Sequence, residues 1–376
     1  MKTLTVFGTR PEAIKLAPVL HELQKFSEIT SRVCVTAQHR EMLDQVLKIF
    51  EIKPDYDLNL MRPNQSLYQL TSDALVALES IIQRERPDVV ITQGDTTTAF
   101  VASLAAFYAH IPIARVEAGL RTHNKYSPFP EEINRVLADQ IADLHFAPTE
   151  RAKENLLREG VSSETIFVTG NTVIDALQQI WARVKDRDLH GQFPVPSEIF
   201  SQIERGEKRL VLITGHRRES FGPEFESICL GLKKIAHNYT DVVLIYPVHL
   251  NPNVRAPVRK ILSETERVFL IEPLEYERFV WLMGRAYLIL TDSGGIQEEA
   301  PALGKPVLVM RRVTERPEAI EAGTAKLAGT DSERIFAEAA RLLEDRDAYE
   351  QMARAVNPFG DGHAAERIVK IVRERF

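Results

Sequence analysis

The chain has 376 residues, 44% of them apolar and 27% charged, and its 53 acidic against 47 basic side chains leave a net charge of −6. That length exceeds what one hydrophobic core usually fills, so two domains are expected; the acidic balance argues against a nucleic-acid surface, and no apolar run is long enough to span a membrane. A strand starting near Leu4 leaves no room for a signal peptide, and Cys34 and Cys229, each among apolar neighbours, read as buried thiols, so a cytoplasmic protein is expected.

Strand-like runs at 4–7, 32–36, 89–92, 113–117, 144–147 and 166–169 alternate with segments of helical periodicity such as 16–26 and 72–84. Such alternation predicts an α/β fold of parallel strands with crossover helices. A polar, proline-containing stretch across 183–209 interrupts the pattern and reads as a boundary zone, after which strands resume at 210–214, 242–246, 268–271, 287–291, 306–310 and 325–327. Two similar α/β units in series follow. Open parallel sheets bind ligands beyond the carboxyl ends of their strands, so a cleft between the units is the expected site.

The polar residues that could carry chemistry follow those strand ends. Gly8-Thr9-Arg10-Pro11-Glu12 opens a helix with Pro11 in its first turn, and Arg10 and Lys15, about one turn apart, could neutralise a diphosphate. Neither a dinucleotide glycine pattern nor a Walker loop is present. In Gln93-Gly94-Asp95-Thr96-Thr97-Thr98, Asp95 has the commonest use of such a residue, a helix N-cap, as its plainest reading. Glu117 ends a buried strand, where a carboxylate is costly without a partner or a task. Glu131 and Glu132 open a helix and would by themselves read as complements to its dipole. Three loops thus bring Asp95, Glu117 and Glu131 or Glu132 to one rim, a candidate acid/base set.

In the second unit His216 stands between Gly215 and two arginines at a strand end, which suits an anion, and His249 follows the next strand. No histidine pair has metal-ligand spacing, so no metal is expected. The segment YLILTDSGGIQEE, 287–299, is the most informative. A buried strand runs into Asp292 and Ser293, read as helix-cap residues, then Gly294 and Gly295, with helix from Ile296 and Glu298 and Glu299 in its first turn. Free N–H groups there suit phosphate, and a neighbouring carboxylate suits a ribose diol. A further cation, Arg316, follows the strand at 306–310.

In this order the segments FGTRPEAIKLAPV (7–19), TAQHREMLDQV (36–46), GDTTT (94–98), VEAGLRT (116–122), YSPFPEE (126–132), TGNTVIDAL (169–177), TGHRRESFG (214–222), YPVHLNPNV (246–254), LTDSGGIQEEAP (290–301), TERPEA (314–319) and NPFGDG (357–362) resemble the non-hydrolysing UDP-N-acetylglucosamine 2-epimerases of bacteria along the whole length. The resemblance implies a GT-B architecture: two Rossmann-like domains with parallel sheets facing a central cleft, and a C-terminal helix crossing back to the first. The domains would be 1–170, completed by about 362–376, and a UDP-binding domain, 171–361.

It further implies interconversion of UDP-GlcNAc and UDP-ManNAc by elimination and re-addition of UDP, without cofactor or metal, in a homodimer. The implied catalytic residues are Asp95, Glu117, Glu131 and His216. Substrate-binding positions would be Arg10, Lys15, Asp95, Glu117, His216, Leu274, Phe279, Ser293, Gly294, Gly295, Glu299 and Arg316, with Phe279 by the uracil and Glu299 on the ribose. Leu274 replaces a Gln of some members, which leaves a backbone contact there, and Gln93 replaces a common His. A second, activating UDP-GlcNAc would use Gln38, His39, Gln65, Arg217 and His249. A GT-B glycosyltransferase and an epimerase of a related diacetamido-uronate sugar nucleotide are the alternatives.

Overall fold

The computed structural model describes residues 1–36, 40–62 and 64–376. They divide into two compact units, one of Met1–Ala176 with Phe359–Phe376, the other of Leu177–Pro358. The first contains strands β1 (Lys2–Phe7), β2 (Thr30–Val35), β3 (Tyr56–Asp57), β4 (Val89–Gln93), β5 (Ile113–Val116), β6 (Leu144–Ala147) and β7 (Ile166–Val168). The second contains β8 (Arg209–Thr214), β9 (Val242–Pro247), β10 (Val268–Ile271), β11 (Leu288–Thr291), β12 (Val307–Val309) and β13 (Ala325–Leu327).

The sheet orders are β3-β2-β1-β4-β5-β6-β7 and β10-β9-β8-β11-β12-β13, with parallel pairings throughout. Each order runs outward, returns to the centre and runs outward the other way, which is the doubly wound topology. Helices cover both faces, so central strands such as Leu4–Phe7 and Leu210–Ile213 are wholly buried, as continuous apolar runs in parallel sheets require. Twelve of the strands coincide with apolar runs in the sequence. The exception, β3, is two residues at a sheet edge, Cys34 opposite Tyr56 and Val35 opposite Asp57, too short to leave a pattern.

Register decides which loops become neighbours. Val6 pairs with Thr92, and Gln93 with Val116, so the chain leaves β1, β4 and β5 at one end of the first sheet. Thr214 pairs with Thr291, so Gly215-His216 and Asp292-Ser293 leave the second sheet side by side. In both sheets these exits flank the point where strand order reverses.

The polar stretch 183–209 is folded rather than a bare linker. It carries the helix Ser197–Glu204, and Phe193 and Phe200 pack their rings against Trp281 of the second unit at centroid distances of 5.2 and 5.3 Å. The C-terminal helix, Ala364–Arg375, lies in the first unit against the helix Arg10–Gln24. Asn171 donates its N–H to the Phe359 carbonyl at 2.7 Å, so the outgoing and returning chain segments are bonded to each other.

The residue before that last helix, His363, supplies no side-chain cap. Asp175, from the helix Thr172–Val184, takes the role instead by accepting the Ala365 N–H at 2.8 Å. Its other oxygen, Oδ2, is buried with no hydrogen-bond partner. Burial raises the Asp175 pKa to about 6, against the opposing effect of the Ala365 and Ala364 N–H groups. A carboxyl that binds its proton more tightly folded than unfolded makes stability fall as pH rises from the unfolded value near 4 through about 6. Asp175→Asn keeps an acceptor for Ala365 and removes the buried charge. Denaturant melts should find this variant about 2–3 kcal/mol more stable than the parent above pH 7, with the two converging below about pH 4; a constant difference across pH would rule out this account of Asp175.

Candidate active site

In the first unit the site begins with Glu12. Thr9 and Glu12 form a capping box at the start of the helix Arg10–Gln24. One oxygen of Glu12 accepts from the N–H groups of Gly8 and Thr9 at 3.0 and 2.7 Å, and the other from Thr96 Oγ1 at 2.6 Å. This 2%-exposed carboxylate therefore ties the loop after β1 to the loop after β4. Burial raises its pKa above the carboxylate norm, offset in part by the hydrogen bonds from Thr96, Gly8 and Thr9. The T-x-x-E spacing is a legible sign of such a box, and Glu12 was not among the expected site residues.

Asp95 is not a helix cap. Thr96 is the N-cap of the helix Thr97–Tyr108, accepting from the Ala99 N–H. Asp95 is left to pair with Arg135, and its carbonyl accepts from Asn134 at 3.0 Å. The helix Glu131–Gln140 thus brings Asn134 and Arg135 to Asp95, and Glu131 lies one helical turn before Arg135.

Of the two glutamates opening that helix, Glu132 is structural. It is 3% exposed and accepts from the N–H groups of Thr122 and His123 at 3.0 and 2.9 Å, closing the loop that precedes it. Glu131 is half-buried.

Glu117 sits just past β5 with a left-handed backbone, φ 62°, unusual for a side-chain-bearing residue. It is 8% exposed and is held by Lys15 Nζ at 2.5 Å, Asn171 Nδ2 at 3.0 Å and the Gln93 amide. Lys15 is thus bonded to Glu117. Arg10 is the half-buried first residue of its helix. Gln93 points to Glu117, not to Asp95.

Beneath these loops Arg115, fully buried, donates to Thr92 Oγ1 at 3.0 Å, to the Gly94 carbonyl at 2.5 Å and to Asp139 at 3.3 Å. Asp139 also accepts the Gly119 N–H at 3.0 Å and pairs with Arg121 at 2.9 Å. A charged residue inside a strand was visible in the sequence, but its partners were not.

In the second unit Asp292 does for β8 and β11 what Glu12 does for β1 and β4. It is 1% exposed, and its Oδ2 accepts the N–H groups of His216 and Arg217 at 2.6 and 2.7 Å. It caps no helix; Ser293 is the N-cap residue.

The helix that follows starts at Gly294, two residues before the expected position, and ends at Glu299. Glu298 and Glu299 thus fall in its last turn rather than its first, the chain running on as a 3-10 turn through Ala300–Leu303, and both are buried, so each needs a partner. Glu298 pairs with Arg316, and Glu299 accepts from Tyr276 Oη at 2.6 Å. Phe279, half-buried, lies one turn along the helix Tyr276–Arg285 from that tyrosine, and Leu274 is half-buried in the loop before it. Thr314 and Gln297 join the Arg316 loop to the Ser293 carbonyl through hydrogen bonds of 2.5 and 3.0 Å. A Cβ on Gly294 would lie 3.7 Å from Arg316 Cζ and 3.9 Å from Arg217 Nη2, so two guanidinium groups stand over this glycine turn.

His216 and His249 stack at 5.1 Å with 14° between their planes. Gln38 and His39 lie outside the described residues. Of the other three residues expected around a second ligand, Gln65 belongs to the first unit, donating to Asp73 at 3.1 Å, and Arg217 and His249 to the second. Among the described residues no three His, Cys, Asp or Glu side chains are grouped to hold a metal ion.

The first unit therefore presents carboxylates and the second a basic, N–H-lined turn. The family model for UDP-N-acetylglucosamine 2-epimerase matches residues 21–373. The chain belongs to this family. It is 58% identical to the UDP-N-acetylglucosamine 2-epimerase of Salmonella typhimurium over 99% of this chain and 98% of that one, and 56% identical to that of Escherichia coli K12 with the same coverage. Among solved structures, a Neisseria meningitidis UDP-GlcNAc 2-epimerase bound to UDP-GlcNAc superimposes with a TM-score of 0.87 at 51% identity, covering both chains fully. One from Listeria monocytogenes, described as putative, reaches 0.92 at 48%, covering 100% of this chain and 96% of that one. Membership of this family brings with it the GT-B-like architecture that the sequence motifs implied.

Two glycines flank the carboxylates and separate backbone strain from crowding. Gly94, φ 77°, has nothing within 4 Å of an added Cβ, whereas at Gly119, φ 86°, the Cβ would lie 2.2 Å from the Ala152 carbonyl oxygen. Gly94→Ala should cost roughly 1–2 kcal/mol, the left-handed penalty alone. Gly119→Ala should cost about 3 kcal/mol or more, because backbone cannot yield. Denaturant melts giving equal losses would contradict this placement of the two loops.

Proposed function

We propose that the chain interconverts UDP-GlcNAc and UDP-ManNAc. The reading is supported most by the glycine turn Ser293–Gly295 under Arg217 and Arg316 beside His216, in a chain half identical along its length to a relative whose structure holds UDP-GlcNAc. UDP is assigned chiefly to the second unit: uracil by Phe279 and the Leu274 backbone, ribose on Glu299, and diphosphate on Ser293–Gly295, Arg316 and His216, with Arg10 and Lys15 of the first unit kept as proposed substrate contacts.

The C2 hydrogen of the sugar is not adjacent to a carbonyl, so it cannot leave as a simple enolate proton. In the proposed route a carboxylate takes that proton as the C1–O bond to the β-phosphate breaks, giving 2-acetamidoglucal and UDP. The phosphate oxygen then re-adds to C1 while C2 receives a proton on its opposite face. Asp95 and Glu131 are the proton-transfer pair, on opposite faces of the sugar. Glu117, with Lys15, Asn171 and Gln93 bonded to it, orients the sugar. A cationic, N–H-lined cradle stabilises the charge that collects on the leaving phosphate.

A homodimer and a cytoplasmic setting belong to the same reading, the second supported by Cys34 and Cys229, both buried free thiols. So does a second UDP-GlcNAc at Gln38, His39, Gln65, Arg217 and His249. Because His249 stacks on His216, replacing it would disturb the diphosphate grip as well; Gln65→Ala is the better probe, and it should convert sigmoidal rate dependence on UDP-GlcNAc into hyperbolic.

The deciding experiment is NMR of UDP-GlcNAc with the protein in D2O and no acceptor. The manno epimer should appear with deuterium at C2; unchanged substrate, or turnover only with an added acceptor or a diacetamido-uronate sugar nucleotide, would transfer the case to the alternatives. Asp95→Asn should lower exchange at C2 by about 100-fold or more while UDP affinity changes less than about threefold. Exchange at the parental rate would remove Asp95 from proton transfer.

A further inference from the structure

We infer that Asp292 is a positioning residue for His216, holding the imidazole so that it takes up a proton when the nucleotide diphosphate binds. The inference rests on the assignment of the diphosphate to the turn beside His216. Asp292 Oδ2 is committed to the two backbone N–H groups of His216 and Arg217. Oδ1 of the same carboxylate is buried without a hydrogen-bond partner, and His216 Nδ1 lies 3.6 Å away. A buried acceptor left open costs free energy unless some state of the protein fills it. Rotation of the imidazole by a few tenths of an ångström would bring Nδ1–H to it.

The loop geometry makes that rotation specific. Oδ2 pins the His216 backbone, Tyr246 Oη donates to the Gly215 carbonyl at 2.8 Å just before it, and the His249 ring covers one imidazole face. His249 itself accepts the Asn251 N–H on Nδ1 at 3.1 Å, which leaves its proton on Nε2. His216 is thus constrained in backbone and plane, with its Nδ1 edge toward the carboxylate and its Nε2 edge directed away from it.

The charged and titratable groups around the ring are Asp292 after β11, His249 after β9 and Arg217 in the same loop, with Glu315 after β12 standing 3.7 Å from Arg217 Nη2. Burial lowers the His216 pKa, Asp292 opposes this, and His249 and Arg217 add to the lowering. The free protein therefore holds His216 largely neutral at pH 7, with the proton on Nδ1. A phosphate arriving at the Nε2 edge favours the imidazolium: one solvent proton adds to Nε2, and the cation bridges Asp292 Oδ1 and the phosphate oxygen.

The sign follows from linkage. Binding raises the pKa, so between the free and bound values UDP binding consumes up to one proton, and affinity falls by up to about tenfold per pH unit as pH rises through that window. In Asp292→Asn the amide oxygen can still accept both N–H groups, while its NH2 faces Nδ1 and opposes the imidazolium.

The test is calorimetry of UDP binding to the full chain between pH 6 and 8.5 in buffers of different ionisation enthalpy, with His216→Asn as the baseline for protons taken or lost by the nucleotide's own phosphate. The parent should take up more protons than His216→Asn, and Asp292→Asn should fall at least halfway to that baseline, with a correspondingly flatter pH dependence of Kd. Equal uptake in the parent and His216→Asn, or parental uptake in Asp292→Asn, would overturn the inference. Should Asp292→Asn not fold, 15N NMR of histidine-labelled parent decides: the free protein must carry the His216 proton on Nδ1, and an Nε2–H tautomer would overturn it. Failure of the parent to bind UDP at all would instead bring down the functional assignment beneath it.

Discussion

Buried carboxylates that accept backbone N–H groups are what the rest of the structure depends on. Where two parallel strands end together and their chains turn apart, main-chain donors lose their ladder partners while still out of reach of water. Glu12 accepts from Gly8 and Thr9, Asp139 from Gly119, Glu132 from Thr122 and His123, and Asp292 from His216 and Arg217. Each therefore fixes one loop relative to another element. The charge-assisted form of the hydrogen bond is about twice as strong as the neutral one, which offsets part of the desolvation these groups suffer.

This separates two populations of acidic residues that look alike in sequence. One fastens the scaffold; the other, Asp95, Glu117 and Glu131, is presented by it. Asp95 and Glu117 each meet a cation, Arg135 and Lys15, so neither is an isolated charge awaiting substrate. The guanidinium of Arg316 is held by Glu298, a buried acid that would be costly without a partner. Charges in each unit's cluster are therefore paired without any ligand, the condition for electrostatic preorganisation.

Much of this was legible in the sequence. Apolar runs of strand length located every strand except the two-residue β3, because strands buried on both faces are mostly apolar, Arg115 in β5 being an exception that needs buried partners. Strand ends located Asp95, Glu117, His216 and the Ser293–Gly295 turn. What stayed hidden depended on distant partners: nothing in a linear reading pairs Gln93 with Glu117, or Asp292 with the N–H groups of His216 and Arg217. Local rules misled where two candidates compete for a cap. Asp95 and Asp292 each precede a hydroxyl residue that takes the N-cap position, which releases the acid for another task. The helix after β11 begins on glycine because the turn itself is helical, a conformation that propensity alone would not assign to Gly294-Gly295.

The Asp292 tether grips main-chain N–H groups, which every amino acid except proline supplies. The side chains at 216 and 217 can therefore be exchanged without unfastening the loop, and the same holds at 122 and 123 over Glu132. A scaffold latched in this manner can be refitted for a different sugar by drift at its loop tips while the latches stay put, so catalytic novelty and foldability are inherited through different residues.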